Sequence, residues 1–326
     1  MITFVARRML QFIPVLLGVL LVVFLVLRLI PGDPAAVLLG TEGSAAERQR
    51  LEVVLGLDQP LYVQFVRYVE RTLSGDLGRS IFQGVDVSKL ILEALPATIE
   101  LALLALAIVV IVAIPLGIWA AIRAKSWVDV TITVITLLGV SMPLVWVGIL
   151  LILLFSQQLG WLPPFGQGPS LASGLQAVFR GQVAPLAQGL RYAILPAVTL
   201  AFGSIAIVVR LTRSSMLEVL QLDYVRTARA KGAADRTVIL KHAFRNALLP
   251  IVTIIGLQLG ALLGGAIITE TIFAWPGIGR LIVTAINQRD YPVVQGSVVF
   301  VAIFVSLINL LVDISYGYIN PKIRYS

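Results

Sequence analysis

Long apolar runs, with few polar positions inside them, dominate the pattern of this chain. A helix needs about 20 apolar residues to cross the roughly 30 Å hydrocarbon layer of a bilayer. Six runs reach that length, and they cover residues 9–30, 96–122, 130–156, 192–212, 248–273 and 293–319. No window alternates polar and apolar residues as the strands of a membrane barrel do, so the spans are predicted to be helical. The pattern predicts an all-α polytopic membrane protein with six transmembrane helices.

The composition excludes two other classes of protein. The 326 residues are 58% apolar and 13% charged, with a mean hydropathy of +0.96, whereas soluble domains are about 45–50% apolar and about 25% charged. Such a chain cannot cover one core with a water-facing surface, and it has too much apolar surface to stay disordered. A soluble globular enzyme is therefore excluded. The chain also has no Cys, so it offers no disulfide, thiol nucleophile or thiolate metal site.

Lys and Arg are concentrated on one side of the predicted spans. With the N-terminus inside, most of them fall in residues 1–8, 123–129, 210–247 and 320–326, where few acidic residues accompany them. The positive-inside rule therefore predicts that both termini are cytoplasmic. The first run follows two arginines, as a secretory signal does, but it exceeds the roughly 7–15 residues of a signal core, so we predict a permanent span.

The spans divide the chain into four parts. We expect the N-terminus and first span in residues 1–30, an extracytoplasmic segment in 31–95, a five-helix core in 96–319 and a cytoplasmic tail in 320–326. The segment 31–95 mixes charges with apolar residues at helical spacing, which predicts short amphipathic helices. Two interpretations of it stay open: a structural cap on the bundle, or a docking surface for an external partner.

Two loops of the five-helix core differ in character. The outer loop, residues 157–191, is rich in Gly, Pro, Gln and Ser and is predicted to be irregular. The inner loop, residues 210–247, is strongly basic. Arg210 and Arg213, at its start, are interpreted most simply as anchors at the membrane interface.

The chain lacks the residues that would let it act alone. It contains no phosphate-binding Gly-x-x-x-x-Gly-Lys-[Ser/Thr] loop, and His242 is its only histidine, so no histidine-based triad or metal site is expected. We predict no catalytic residue and no metal ligand. Acidic residues near the spans are few, namely Glu100, Glu270 and Asp313, and they lie towards helix ends, whereas secondary transporters keep ionisable groups near the midplane. Energy is therefore expected to enter from another subunit.

The inner loop carries a pattern of two short helices separated by a glycine. Asp223 is a good N-cap for a two-turn helix that ends at Lys231, and Gly232 suits a left-handed stop. Asp235 is in turn expected to cap a second helix that leads to Pro250 at the fifth span. One interpretation is a basic loop held at anionic lipid headgroups. The other is a rigid projection that fits a groove in a partner and transmits its motion to the membrane helices.

This inner loop resembles the coupling loop of ABC-transporter permeases. The similarity rests on the segment from Asp223 to Gly232, Asp-Tyr-Val-Arg-Thr-Ala-Arg-Ala-Lys-Gly, and on the segment from His242 to Pro250, His-Ala-Phe-Arg-Asn-Ala-Leu-Leu-Pro. Further matches run in order along the whole chain: Pro31-Gly32-Asp33-Pro34, Gly75-Asp76-Leu77-Gly78, Arg213-Ser214-Ser215-Met216-Leu217-Glu218-Val219, Thr269-Glu270-Thr271-Ile272-Phe273, Trp275-Pro276-Gly277-Ile278-Gly279, Arg289-Asp290-Tyr291-Pro292 and Asn320-Pro321-Lys322-Ile323-Arg324-Tyr325. Together they resemble the dipeptide/oligopeptide (peptide/nickel/glutathione) importer class, in its first, or B-type, permease subunit.

The loop departs from the general permease pattern in one respect. That pattern begins Glu-Ala-Ala, but the matching triplet here is Arg226-Thr227-Ala228, and Pro250 lies 18 residues after Gly232, farther than in the general pattern. Similar changes belong to the peptide class, so we interpret them as a mark of the subclass. Because Arg226 replaces the Glu of the general pattern, no prediction for this chain depends on that Glu.

The resemblance implies a type I ABC importer permease fold in the cytoplasmic (inner) membrane of a prokaryote. It implies two ATPase subunits that bind ATP and Mg, a second homologous permease subunit and an extracytoplasmic substrate-binding protein, besides membrane lipid. No cofactor in this chain and no nucleic-acid partner are implied. The residues expected to couple this chain to the ATPase subunits are Asp223, Tyr224, Arg226, Thr227, Ala228, Arg229, Lys231 and Gly232.

The expected cargo is a dipeptide or oligopeptide. Glutathione or a nickel complex remains an alternative, because the class shares its coupling machinery. A self-contained secondary transporter is disfavoured by the scarcity of midplane charges. A membrane-embedded enzyme is disfavoured because no paired carboxylates, metal cluster or activated nucleophile can be assembled from this sequence.

The fifth span carries Gly256, Gly260 and Gly264 at four-residue spacing. Each step of four rotates by about 40°, so these glycines form a narrow, smooth ridge. The ridge is interpreted either as a close helix–helix contact or as a wall of the transport pathway. Gln258 on the same span and Asn309 on the sixth are polar side chains that suit a contact with a peptide backbone or a hydrogen bond within the bundle.

Overall fold

The computed structural model describes residues 2–29 and 58–319, and these residues form helices joined by turns. In chain order the helices are α1 (Ile2–Leu29), α2 (Leu61–Leu73), α3 (Val87–Ile122), α4 (Trp127–Ser141), α5 (Leu144–Leu151), α6 (Leu171–Phe179), α7 (Ala184–Leu220), α8 (Asp223–Ala230), α9 (Asp235–Thr237), α10 (Arg245–Ile272), α11 (Ile278–Gln288) and α12 (Tyr291–Ile319). π-helical turns extend α5 over Ile152–Gln158 and join α9 to α10 over Val238–Phe244. Residues 31–57 of the predicted extracytoplasmic segment 31–95 and the predicted tail 320–326 lie outside the described residues.

The all-α prediction is confirmed for the described part of the chain. Four described helices are long and apolar enough to cross a bilayer, and they cover Val87–Ile122, Ala184–Leu220, Asp235–Ile272 and Tyr291–Val312. In α1 the shorter apolar stretch is Ile13–Val26. The count of six spans and the side on which each terminus lies stay predictions.

The third predicted span, residues 130–156, is not one continuous helix. α4 and the α5 segment are bent by 108° at a break around Met142 and Pro143. Met142 has an extended backbone, with φ −79° and ψ 130°, because the proline ring that follows it disfavours the α conformation. Counted together, the two bent halves make a fifth candidate span.

The outer loop at residues 157–191 is more regular than the sequence indicates. It contains α6, whose first turn is capped by Ser170, since the Ser170 hydroxyl accepts a hydrogen bond from the Ser173 backbone N–H at 3.2 Å. Gly174 lets α6 approach α7 closely, because a Cβ at that position would lie 2.7 Å from the Leu186 Cα. The prediction of an irregular loop is therefore wrong for Leu171–Phe179 and for residues 184–191, which form the start of α7.

The described residues group into two compact units. The first contains the described residues up to Pro96 together with Gly277–Leu307, and the second contains Ala97–Pro276 with the described residues from Ile308 onwards. The core of the first unit is formed by the start of α3, by α11 and by the start of α12. In the second unit α7 lies against α4, α5, α6 and α10. The long helix α7 is thus the central element of the unit that carries the inner loop.

Candidate functional site

The predicted short helix of the inner loop is present as α8. It begins at Asp223, one position earlier than the predicted N-cap at Asp223 implies. The N-cap of α8 is Leu222 and that of α9 is Ala234, and neither side chain makes a capping hydrogen bond. Asp223 and Asp235 instead occupy the first turn of their helices. A carboxylate in the first turn is favoured by the helix dipole without acting as a cap, so the predicted N-caps are wrong by one residue.

The predicted stop at Gly232 is confirmed. Gly232 has a left-handed backbone, with φ +76°, and Lys231 is the C-cap. The backbone N–H of Gly232 donates to the Arg229 carbonyl at 2.9 Å, and that of Ala233 donates to the Ala228 carbonyl at 3.2 Å. This pair of bonds is the Schellman motif, which requires a residue that tolerates positive φ at this position. Gly232 therefore fixes the direction in which the chain leaves α8.

One fully buried side chain, Val225, anchors α8 to the membrane helices. Val225 is fully buried in an apolar cluster. That cluster draws its members from the ends of α3 and α7 and from the helix that leads into α10: Ala121, Met216, Val219, Val238, Ala243, Ala247 and Ile251. Burial of an apolar side chain of this size contributes about 1.5–3 kcal/mol. The short helix therefore contacts α7 and the segment leading into α10, and through Val225 it joins an apolar core to which the end of α3 also contributes.

Tyr224 adds a polar link between α8 and the start of α10. Its hydroxyl accepts a hydrogen bond from the Asn246 side-chain amide at 2.9 Å, and that amide also donates to the His242 backbone carbonyl at 2.8 Å. The Tyr224 hydroxyl donates to the same carbonyl at 3.4 Å. These bonds hold the first turn of α8 beside the turn that precedes the fifth predicted span.

Apart from Val225 and the half-buried Ala228, the segment from Asp223 to Gly232 is exposed and mostly basic. Its exposed residues are Asp223, Tyr224, Arg226, Thr227, Arg229, Ala230, Lys231 and Gly232. Arg226 and Asp223 lie 3.6 Å apart with most of both side chains in solvent, so their attraction contributes little to stability. α8 thus presents three cations outward while its buried face is fixed.

Arg213 forms an ion pair with Asp129 near this site. The interpretation of Arg213 as an anchor at the membrane interface did not anticipate this pair. The Arg213 Nε and Nη2 atoms donate to the two carboxylate oxygens of Asp129 at 2.5 and 2.7 Å. The Lys125 backbone N–H also donates to Asp129, at 2.9 Å. Asp129 is buried and Arg213 is 31% exposed. The one acidic residue in the otherwise basic segment 123–129 was the signal in the sequence for this pair.

The polar residues of the fifth span face partners within the bundle. Gln258 is 7% exposed, and its Oε1 accepts a hydrogen bond from the Ser204 hydroxyl of α7 at 2.7 Å. A Cβ on Gly260 would lie 2.5 Å from the Asn309 Oδ1 atom of α12, whereas a Cβ on Gly264 would meet no atom within 4 Å. Gly256 is half-buried. The glycine ridge therefore has a close contact at Gly260 and open space at Gly264.

A second polar cluster connects the end of α10 to α3. Glu270 is fully buried, and its Oε1 accepts a hydrogen bond from the Thr98 hydroxyl at 2.7 Å. The Trp275 indole N–H donates to the Ala97 carbonyl at 2.9 Å. One turn farther along α3, Glu100 accepts a hydrogen bond from the Leu171 backbone N–H at the start of α6, at 3.0 Å. These contacts join three segments around one end of α3.

Comparison with known proteins identifies the class. Residues 113–325 match the family of binding-protein-dependent transport system inner membrane components, and residues 1–102 match the N-terminal model of such membrane components. The chain belongs to this family, and it is an inner membrane protein and the permease part of an ABC transport system.

Three relatives resemble the chain over its whole length. The dipeptide transport system permease protein DppB of Alkalihalophilus pseudofirmus is 45% identical over 333 residues, with all of both chains covered. A di/tripeptide transport system permease protein of Pseudomonas aeruginosa is 43% identical over 335 residues. A dipeptide transport system permease protein of Escherichia coli K12 is 42% identical over 337 residues. Both of these alignments cover all of this chain and 99% of the relative.

Proposed function

We propose that this chain is a permease subunit of an ATP-driven importer of dipeptides and other short peptides. The names of three relatives that are 42–45% identical over the full length support the peptide cargo. The chain itself hydrolyses nothing in this account. ATP and Mg are bound by two separate ATPase subunits, and a second homologous permease subunit completes the pathway.

The observation that carries the coupling proposal is the full burial of Val225. Because Val225 shares one apolar core with residues at the ends of α3 and α7 and with the segment leading into α10, and α8 contacts α7 and that segment, a displacement of α8 must move those helices or open their shared core. Packed cores resist continuous deformation, so such a displacement shifts whole helices between discrete arrangements. The fixed face of α8 therefore supplies the mechanical connection.

The exposed face of α8 is the surface that the ATPase subunits contact in this proposal. Arg226, Arg229 and Lys231 give it positive charge, which suits a groove with acidic groups on the partner. Closure of the ATPase subunits on ATP moves α8, and the membrane helices follow from one access state to the other. A ligand bound elsewhere can bias a two-state element in this way only if it binds the two states differently.

The pathway passes the α10 face near Gly264 in this proposal. Gly264 is exposed and has open space beside it, so a passing peptide has room there. Gln258, about two turns before Gly264 on α10, and its partner Ser204 of α7 place amide and hydroxyl groups within the bundle. A substrate-binding protein on the outer side delivers the peptide to this pathway.

Reconstitution tests the proposal as a whole. The chain is inserted into liposomes with its second permease subunit, the ATPase subunits and the binding protein, and uptake of a labelled dipeptide is measured. We expect uptake that requires both ATP and the binding protein, with unlabelled dipeptide competing better than glutathione. Uptake by the chain alone down an ion gradient would contradict the importer proposal, and better competition by glutathione would contradict the peptide cargo.

A further inference from the structure

Helix α2 has two apolar faces, and within the described part of the chain only one of them packs against aromatic rings of another helix. Phe65 packs edge-on against Phe24 of α1, with ring centroids 5.3 Å apart, and Tyr68 stacks on the same ring at 5.9 Å. The neighbouring face carries Tyr62, Val66, Val69 and Leu73, which are spaced i, i+4, i+7 and i+11 and form one stripe along a helix. We call these four residues the α2 stripe. Tyr62 is 72% exposed, Val66 51% and Leu73 68%.

The remaining side of α2 is charged. Arg67, Glu70 and Arg71 are exposed, and at about 100° per residue they fall outside the arc of the stripe. The helix therefore divides into an apolar half, shared between α1 and the stripe, and a polar half. This division is the pattern of a helix that lies in a membrane–water interface.

The orientation of the stripe is fixed by the ring contacts of Phe65 and Tyr68 with Phe24 and by contacts at the C-terminal end of α2. There Arg71 bonds to Asp76 at 3.1 Å, and Asp76 accepts the Gly78 backbone N–H at 2.9 Å. The Gly78 bond, with the Arg71 cation, holds the pKa of the Asp76 carboxyl below its usual range, so the ion pair persists at neutral pH. Leu77 packs into the core formed by α3, α11 and α12. These contacts hold α2 in place, so the α2 stripe points away from the protein.

The neighbouring surface of α1 identifies what covers the stripe. Phe24 lies five residues before the end of α1 at Leu29, which is about 8 Å along the helix axis. Where the structure describes the side chains of α1 around this contact, residues 13–26, the exposed ones include the apolar Leu17, Leu21, Val22, Leu25 and Val26. An exposed apolar surface on a membrane helix faces lipid, and the α2 stripe continues that surface at the end of the span.

We propose that α2 lies in the headgroup region of the bilayer, with the α2 stripe inserted among lipid acyl chains at the end of α1. Arg67 and Glu70 face water and headgroups, and Tyr62 occupies the interfacial level that amphipathic aromatic side chains prefer. The segment 31–95 is then neither only a cap on the bundle nor only a docking surface for a protein. Part of it is a lipid-binding helix that sets the depth of the first span.

The absence of Cys from the chain makes a direct test simple. Single cysteines replace Val66 and Leu73 on the stripe, and matched controls replace Arg67 and Glu70 on the polar face. Each carries a nitroxide spin label in the transporter complex, assembled with subunits that lack reactive cysteines, in phosphatidylethanolamine/phosphatidylglycerol vesicles. The collision rates of each label with oxygen, which concentrates in lipid, and with a water-soluble nickel chelate are then compared.

We expect the ratio of oxygen to nickel collisions at positions 66 and 73 to exceed that at 67 and 70 several-fold. The ratio should rise and fall with the helical period and stay unchanged when the binding protein is added. High nickel accessibility on the stripe would place it in water and overturn the proposal. Shielding of the stripe from both reagents would show that a protein covers it, which also overturns the proposal.

Discussion

Arg213 of α7 and Asp129 of α4 form a two-bond ion pair, with the guanidinium Nε and Nη2 atoms 2.5 and 2.7 Å from the carboxylate oxygens. The pair lies two turns before the end of α7 at Leu220, shortly before the chain enters α8. The turn before α4 is held to the same carboxylate by the Lys125 backbone N–H. α4 and α7 are therefore joined close to the point at which, in the proposed mechanism, α8 acts on the membrane helices.

Removing one charge of this pair should destabilise the protein. Asp129→Asn leaves the partly buried Arg213 without a matched acceptor, and a buried group that loses its partner costs about 1–3 kcal/mol. Thermal unfolding of the purified protein should show this as a lower midpoint. Arg210→Gln is the control, because Arg210 is exposed on the same helix. An unchanged midpoint for Asp129→Asn would contradict the assignment.

The two glycines of the α10 ridge should differ in their response to a methyl group. Gly260→Ala places a Cβ 2.5 Å from the Asn309 Oδ1 atom, and overpacking of this kind costs about 1–3 kcal/mol. Gly264→Ala meets no atom within 4 Å and should leave thermal stability unchanged. A bulky residue at position 264 should instead affect transport. Gly264→Phe should block peptide uptake without lowering the unfolding midpoint. Equal destabilisation by both alanine variants would be inconsistent with these environments.

The buried and exposed faces of α8 should give separable defects. Val225→Asp puts a charge into the apolar cluster and should lower the unfolding midpoint, because a buried unpaired charge is strongly unfavourable. Arg226→Glu changes only an exposed side chain and should leave the midpoint within the roughly 0.5 kcal/mol typical of surface changes. It should nevertheless weaken co-purification of the ATPase subunits. Intact co-purification with Arg226→Glu, and with the same change at Arg229 and Lys231, would exclude the basic face as the contact surface.

The features that the sequence predicted well depend on local chemistry. The left-handed stop at Gly232 and the all-α class follow from the conformational freedom of glycine and from the length of the apolar runs. The break at Pro143 was missed, although a proline disfavours helix at the residue before it, because the apolar run continues through it. The first-turn positions of Asp223 and Asp235 differ from the predicted caps by one residue, the scale on which helix ends are hard to assign.

The features that the sequence did not reveal depend on contacts between distant segments. Asp129 and Arg213 are 84 positions apart, and Thr98 and Glu270 are 172 apart. No local pattern says that these side chains meet. The different surroundings of Gly260 and Gly264 likewise depend on which helix lies beside each one, although both sit on the same ridge of small residues.

The central claim is that α8 couples the ATPase subunits to the membrane helices, and Gly232 tests it most directly. Gly232→Val forces a β-branched residue into a backbone with φ +76°, which strains the turn, while no neighbouring atom within 4 Å opposes the side chain itself. Gly232→Asn is the matched control, since asparagine tolerates this conformation. The measurement is the ratio of peptide imported to ATP hydrolysed by the complete transporter in liposomes.

We predict that Gly232→Val lowers this ratio severely while the complex still assembles, and that Gly232→Asn keeps most of it. Import by Gly232→Val at the unmodified ratio would contradict the role assigned to α8.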